Sequence, residues 1–386
     1  MHATRTRQGR SLEDLSLLLG ALGFLVGGAV ALLVLDPPAL LFGKRSVGEA
    51  AALVGGAASG LAFLFMARRV GSRDESWRRR MSRFRRVVDL AGLTLVHAAI
   101  SMLATAGVFA VFADAFEGLE MDRWAGSFLV AGACAVGSYV AASSAASLTT
   151  QSLSVLVAAF LVAGAFTSAL TSSDPQWWQA HFSALGTASG IAFNFTLILT
   201  GVVLTTLADF LTRDLGRWAA HTGEPGWKVV FVRVGFVLLG VMLAMVGVIP
   251  VNRSLFWHNM VTYVAVGAFV VMLLAVPFLF RRLSGGFIGV TVVVAAMMAL
   301  EGWLHLGVGY LNITAFEIAA VGTVFIWLIL FIRSVAAAVD DLPQLAPTPR
   351  EREAVPESPH RRQRERKHPM GASPAKQAAC DGDAPS

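Results

Sequence analysis

The sequence predicts an all-α fold, a polytopic bundle of about ten transmembrane helices in five outward hairpins with both termini in the cytoplasm. Composition is the first observation: 55% of the 386 residues are hydrophobic and 15% are charged, whereas a soluble domain has ~25% charged residues. Long uncharged runs recur along the chain, and basic residues avoid every second turn between them. Because lipid offers no hydrogen-bond partners to the backbone, these runs are expected to be helices.

Each apolar run is close to the ~20 residues that a helix needs to cross the hydrocarbon. The predicted spans are Leu15–Leu35, Val47–Met66, Val87–Phe112, Ser127–Ala146, Ser152–Ser172, Phe182–Leu207, Val229–Val248, Asn259–Phe280, Phe287–Leu304 and Ile313–Ile332. Residues 1–14 are then a short cytoplasmic N-terminus, and 15–333 form the transmembrane domain. Residues 334–386 are rich in Pro, Arg, Glu and Ser, which predicts a disordered cytoplasmic tail.

The basic residues set the predicted orientation. Of 31 lysines and arginines, the outward turns hold only Lys44, Arg45, Arg123 and Arg253. The connection between the second and third spans, residues 67–86, carries nine. This asymmetry follows the positive-inside rule and predicts that both termini are cytoplasmic. The predicted location is the cytoplasmic membrane. The asymmetry also accounts for the net charge of +6, so no nucleic-acid partner is predicted; membrane lipids are, with other membrane subunits left open.

Two outward turns resemble each other in sequence. An aromatic pair precedes His181 and His258, and alanine and glycine follow at equal distances in both segments. This echo predicts repeated hairpins near residues 152–207 and 229–280. Trp177, Trp178, Trp257 and Trp303 lie at these and neighbouring outer turns, where indole rings favour the headgroup level. They are therefore predicted to be interfacial aromatics.

Ionisable groups inside spans are costly and are candidates for function. Three histidines and two carboxylates are predicted at one depth, near the outer headgroup boundary: His181, His258, Glu301, His305 and Glu317. Together they form the candidate polar pocket. Glu301 and His305 are four residues apart and are predicted to share a helix face. Deeper in the membrane, Asp89 and His97 are candidates for a proton path, and Asn194 is a further buried polar group.

The chain contains few features of other site chemistries. It has 2 cysteines, Cys134 in a span and Cys380 in the tail, so no disulfide is expected. No HExxH or HxH spacing is present, so no metal site is predicted. Neither a Walker lysine loop nor a GxSxG elbow occurs. No cofactor and no catalytic residue are predicted.

The turns that place an aromatic just before a histidine opening a helix (Trp177, Trp178 and His181; Trp257 and His258) resemble the DRAM-like group of multi-pass membrane proteins and a related bacterial domain of unknown function. The resemblance covers roughly residues 93–332. It implies short helical hairpins and a role in membrane trafficking or lipid-anchor remodelling, as in eukaryotic relatives. About six spans would be usual for that group, and this chain has ten predicted.

Three functions are compatible with these patterns. The leading hypothesis is a protein that binds or organises a lipid or lipid-linked molecule at the outer leaflet through the candidate polar pocket. A proton-coupled transporter is the second, motivated by Asp89 and His97 together with the paired helices. The third is an outer-leaflet lipid-modifying enzyme that uses a histidine and a glutamate as general acid and base.

Overall fold

A computed structural model of the chain describes residues 2–71, 82–187, 190–281, 283 and 285–342. Within this part, ten helices are long and apolar enough to cross a bilayer, which confirms the predicted all-α polytopic bundle. They are α1 (His2–Val34), α2 (Val47–Gly71), α3 (Arg83–Ala115), α4 (Arg123–Ala146), α5 (Thr150–Leu170), α6 (Ile191–Thr222), α7 (Gly226–Val248), α8 (Leu255–Leu279), α9 (Gly285–Gly302) and α10 (Ile313–Asp340). Most of the predicted basic connection (residues 72–81) and the predicted disordered tail from residue 343, with Cys380, lie outside the described residues.

The first four helices form one layer in which α4 packs between α1 and α2, and α2 also packs against α3. Small residues permit this closeness: a Cβ placed on Gly23 of α1 would lie 2.6 Å from Ser138 Oγ of α4. A two-stranded antiparallel ribbon joins β1 (Ala39–Leu40) to β2 (Glu120–Met121). The α1–α2 and α3–α4 turns therefore lie together, at what we call the outer end.

In the second half, α6 is the most buried span and packs against α3, α5, α7 and α10. A cluster of aromatic rings fills the space among α7, α8, α9 and α10. Trp327 is fully buried at its centre, with its ring centroid 5.5 Å from that of Phe269 and 6.1 Å from that of Phe287. Its indole N–H donates to Thr291 Oγ1 at 3.1 Å. The interior at this level is closed by packed side chains.

Helices α6 and α7 cross through two glycines. A Cβ on Gly240 would lie 2.6 Å from Gly201 O and 2.9 Å from Thr205 Cγ2, both on α6. Without a side chain at either glycine, the two backbones approach closely, as small residues allow in membrane helix pairs. This contact fixes the rotation of α6 and therefore the direction of its polar side chains.

Charged contacts tie the helices together at the opposite end, which we call the inner end. Lys228, in the first turn of α7, donates to Glu224 Oε2 at 2.6 Å and to Leu279 O at the end of α8, also at 2.6 Å. The basic side chain thus satisfies a carbonyl that the last turn of α8 leaves free. The α6–α7 turn and the end of α8 consequently lie at the same end of the bundle.

Two of the predicted spans continue as helix beyond their predicted ends. The connection expected over residues 208–228 is mostly helix, since α6 continues to Thr222 and the turn is confined to Gly223–Pro225, where Gly223 has φ +74°. The last span, predicted to end at Ile332, continues as α10 to Asp340, so residues 334–340 of the predicted tail are helical. In both places charged residues end an apolar run without ending the helix, since a helix that reaches water keeps its own backbone hydrogen bonds.

Candidate functional site

The loop between α5 and α6 carries His181 at the outer end. His181 has extended backbone angles (φ −165°, ψ 157°) and precedes a short 3₁₀ helix, Phe182–Gly186. Its ring Nδ1 lies 3.0 Å from Ser183 Oγ. The backbone N–H of Phe182 donates to Glu317 Oε2 of α10 at 2.6 Å. His181 and Glu317, two of the predicted pocket residues, are thus close together, because Glu317 bonds to the backbone of the residue that follows His181.

The expectation that His181 opens the sixth span was wrong, since α6 begins at Ile191. Asn194 explains the later start: its side-chain amide donates to Gly186 O at 2.7 Å and holds the 3₁₀ helix over the first turn of α6. His258, by contrast, lies inside the first turn of α8. The sequence echo between the two hairpins therefore does not place its two histidines equivalently.

Glu301, in the last turn of α9, is held against α10. Thr323 Oγ1 donates to Glu301 Oε1 at 2.7 Å. The other carboxyl oxygen, Oε2, is buried and has no hydrogen-bond partner among the described residues. The hydroxyl of Thr314, on the first turn of α10, is likewise buried and unpartnered there. Such groups need an explanation, because leaving a buried polar atom unsatisfied costs about 1–3 kcal/mol.

His305 follows Glu301 in a π-helical turn, Trp303–Gly307, closed by Val308 N donating to Trp303 O at 3.1 Å. His305 Nδ1 donates to Leu311 O at 2.9 Å, and its ring stacks on Phe316 of α10 at 4.7 Å. Glu301 and His305, which were predicted to share a helix face, hydrogen-bond to different partners, Thr323 and Leu311. The wider π turn between them changes the face on which His305 lies.

His258 does not join the other four. It is buried, and its Nδ1 donates to Ile249 O at 2.7 Å, which closes the α7–α8 turn onto the start of α8. This hydrogen bond holds the His258 ring within the α7–α8 hairpin. A structural role therefore accounts for this histidine.

Four of the five predicted residues thus meet at the outer half of α10. Glu317 of α10 accepts from Phe182 N, and Glu301 accepts from Thr323 of α10. His305 stacks on Phe316 of α10, and His181 precedes Phe182 in the chain. Among the described residues, no group of three or more His, Cys, Asp or Glu side chains could hold a metal ion. Two carboxylates dominate the polar groups here. A carboxylate only accepts hydrogen bonds, so the arrangement favours a ligand that donates them.

A small cavity beside this cluster was not predicted. It has a volume of about 70 Å³ between the end of α5 and the α5–α6 loop, and is lined by residues that include Ser168, Thr171, Asp174, Trp177 and Thr187. The run of hydroxyl residues that ends α5, followed by an acidic residue and tryptophans, was the available sequence signal. Because single hydroxyl residues are common in membrane helices, the signal was weak.

The two candidates for a proton path have separate partners. Asp89 Oδ1 accepts from Thr206 Oγ1 of α6 at 3.0 Å. His97 donates through Nδ1 to Leu93 O at 2.8 Å, lies 2.9 Å from Ser144 Oγ of α4 through Nε2, and stacks on Phe63. The two side chains on α3 thus bond to different helices, and each contact serves helix packing.

Four tryptophans at the outer turns are exposed on the surface of the bundle: Trp124, Trp178, Trp257 and Trp303. Trp177 is half-buried and packs against Phe182, with ring centroids 6.4 Å apart. The exposed rings have the placement that an interfacial belt requires, whereas Trp177 belongs to the packing of the α5–α6 loop. Contact of these rings with headgroups stays a prediction.

One charged contact between three helices was missed in the sequence because its carboxylate was assigned to a connection. Asp209 of α6 is buried and pairs with Arg85 of α3, while Arg233 of α7 donates to its Oδ1 at 2.9 Å. Arg85 also donates to Thr205 O at 3.4 Å. This three-helix ion pair lies near the inner end and leaves the carboxylate satisfied from both sides.

Taken with the ten spans, these contacts define an integral multi-pass membrane protein. No protein-family model matches the chain, and neither does any curated protein or any solved structure. The resemblance to the DRAM-like group therefore stays a prediction, and the function is argued from the site alone.

Proposed function

We propose that the protein binds a lipid or lipid-linked molecule at the outer end of the bundle, with a head group that donates hydrogen bonds to Glu301 and Glu317. The observation that carries the proposal is Glu301 Oε2, which is buried and has no hydrogen-bond partner in the described part of the chain. It lies within a cluster whose other polar groups also surround α10. An ammonium or a set of hydroxyl groups would satisfy it.

Apolar side chains around the cluster support an amphiphilic ligand. Leu300, Leu306, Tyr310 and Ile318 are exposed beside the carboxylates and His305. In a bilayer these side chains would contact acyl chains while the carboxylates meet the polar head. The exposed Trp303 would lie between the two regions, where an amphipathic ring is favoured.

The test is the set of lipids that copurify with the full-length protein in mild detergent. Changing Glu301→Gln and Glu317→Gln together is expected to remove a bound lipid that wild type retains. Glu117→Gln with Glu120→Gln is the matched control, since both glutamates are exposed at the same end. Identical lipid profiles for wild type and the site variant at equal protein yield would refute the proposal.

A proton-coupled transporter is the second candidate, favoured by the location of Glu301. Its Oε2, buried without a hydrogen-bond partner among the residues that the structure describes, lies between α9 and α10, just before the π turn that begins at Trp303. Such π distortions in helices are frequent at functional sites. Solute flux into vesicles under an imposed pH gradient, lost in Glu301→Gln, would support this function. Flux that is independent of the gradient for every solute would exclude it.

A further inference from the structure

A groove opens between α1 and α2. Its volume is about 890 Å³, within the ~300–1,000 Å³ typical of small-molecule sites. Ala58 and Ala62 of α2 and Gly23 of α1 line it, and Ser138 of α4 contributes one hydroxyl. Except for that hydroxyl and two arginines, its lining is apolar.

The groove follows from the way the first two helices pack. At the outer end, Ala31 and Leu35 of α1 join Val47 and Ala51 of α2 in one buried cluster. Farther along, both helices pack on α4 more than on each other. The two helices are thus joined at the outer end, and the space between them is left to the groove.

The groove has apolar walls and, at one end, two positively charged arginines. Leu22 and Val26 of α1 face Leu61 and Phe65 of α2 across it, and all four are more than half exposed. Arg68 and Arg69 line the groove in the last turn of α2, and the Arg68 side chain is exposed. A guanidinium forms bidentate hydrogen bonds with phosphate.

We propose that this groove binds one anionic phospholipid, with an acyl chain along the apolar walls and the phosphate at Arg68 and Arg69. Charge complementarity and volume favour a lipid over a partner helix. A helix is ~10 Å across with its side chains, so it would fill the groove within about two turns. The cations at one end suit a molecule that is apolar along its length and anionic at one tip.

This site is separate from the one on α10. Arg68 and Arg69 end α2, which places them at the inner end, whereas Glu301 and Glu317 lie at the outer end. The two sites also favour opposite charges in their ligands. Either one can therefore fail its test without affecting the other.

The experiment uses the full-length protein in nanodiscs with a photoactivatable phosphatidylglycerol that carries a diazirine in one acyl chain. Cross-links are mapped by mass spectrometry. We expect them in peptides of α1 and α2, with phosphatidylglycerol labelling these more than the equivalent phosphatidylcholine. Each arginine removed should lower the labelling by about fivefold, from the attraction of one cation to an anionic lipid surface.

Two variants and one control distinguish lipid binding in the groove from a general attraction of anionic lipid to surface arginines. Arg68→Ala with Arg69→Ala removes the head-group contacts, and Ala58→Leu fills the groove while keeping the charge. Arg217→Ala with Arg281→Ala is the control, since both arginines are exposed elsewhere on the described surface. Loss of labelling in both groove variants and not in the control supports the proposal. Equal labelling by phosphatidylcholine, equal loss in the control, or unchanged labelling in Ala58→Leu would overturn it.

Discussion

Glu317 Oε2 accepts the backbone N–H of Phe182 at 2.6 Å, across 135 positions of the chain. The bond attaches the α5–α6 loop to the first turns of α10, and it is the contact through which His181 adjoins the cluster. The bond adds to the other contacts of this loop, in which Asn194 donates to Gly186 O at 2.7 Å and Phe182 packs on Phe193.

Glu317→Ala is expected to loosen this loop at Phe182. A hydrogen bond to a charged group contributes about 1.5–3 kcal/mol, so amide hydrogen exchange over residues 176–187 should increase by at least about tenfold. Glu117→Ala, an exposed acidic change at the same end, should leave that exchange unchanged. If exchange over the loop is the same in Glu317→Ala as in wild type, the contact does not hold the loop.

The glycine crossing of α6 and α7 predicts opposite effects of the same substitution at two positions. Gly240→Ala places a Cβ 2.6 Å from Gly201 O and should destabilise the protein by about 1–3 kcal/mol through overpacking. Gly267→Ala, in α8, meets nothing within 4 Å, so it should be neutral or stabilise the helix by up to about 1 kcal/mol. Thermal unfolding of the purified protein measures both. Equal midpoints would show that the two backbones do not touch.

The ion pairs at Asp209 predict an asymmetry between partners. Asp209→Ala removes the carboxylate shared by Arg85 and Arg233, whose side chains are 33% and 47% exposed. It should cost about 1.5–3 kcal/mol, as loss of a hydrogen bond to a charged group does. Arg233→Ala should cost much less, because Arg85 still neutralises Asp209 and the Arg233 side chain is 47% exposed. Unfolding midpoints of the two variants provide the comparison. A larger loss in Arg233→Ala would contradict this assignment.

The orientation predicted from the arginines is tested by cysteine labelling. In a Cys380→Ser background, cysteine replaces Asn252 in the α7–α8 turn or His221 in the last turn of α6, both exposed residues. A membrane-impermeant maleimide added to intact cells should label the first and not the second. Permeabilised cells, in which both should react, are the control. Labelling of the residue 221 variant alone would reverse the orientation.

Hydropathy predicted the spans because a long run of apolar residues is most stable in the hydrocarbon of a bilayer, where its backbone must form a helix. It failed at the end of α6, where Asp209, Arg213 and Asp214 resemble a hydrated connection. In the structure these residues remain helical, since Arg213 pairs with Asp214 at 3.0 Å and Asp209 with two arginines. Pairing between helices that are distant in sequence cannot be detected in one segment.

The distance of each candidate residue from a helix end could be predicted from the sequence, but its neighbours could not. In the structure Glu301, His305 and Glu317 lie near helix ends at the outer end of the bundle. Which residues meet depends on helix neighbours and rotation. His258 was therefore included although it bonds within its own hairpin, and the π turn at Trp303 separated Glu301 from His305. The small cavity near Asp174 was missed for the same reason.

The most direct test of the α10 site measures which head groups it retains. Full-length protein is delipidated and offered phosphatidylethanolamine, a glycosyl diacylglycerol and phosphatidylcholine in equal amounts, and bound lipid is counted by native mass spectrometry. Phosphatidylcholine has no hydrogen-bond donor in its head group. The account predicts that at least one of the two donor-bearing lipids is retained over phosphatidylcholine, and that Glu301→Gln with Glu317→Gln abolishes the preference. Retention of phosphatidylcholine equal to both others, or a preference that survives the double substitution, would contradict it.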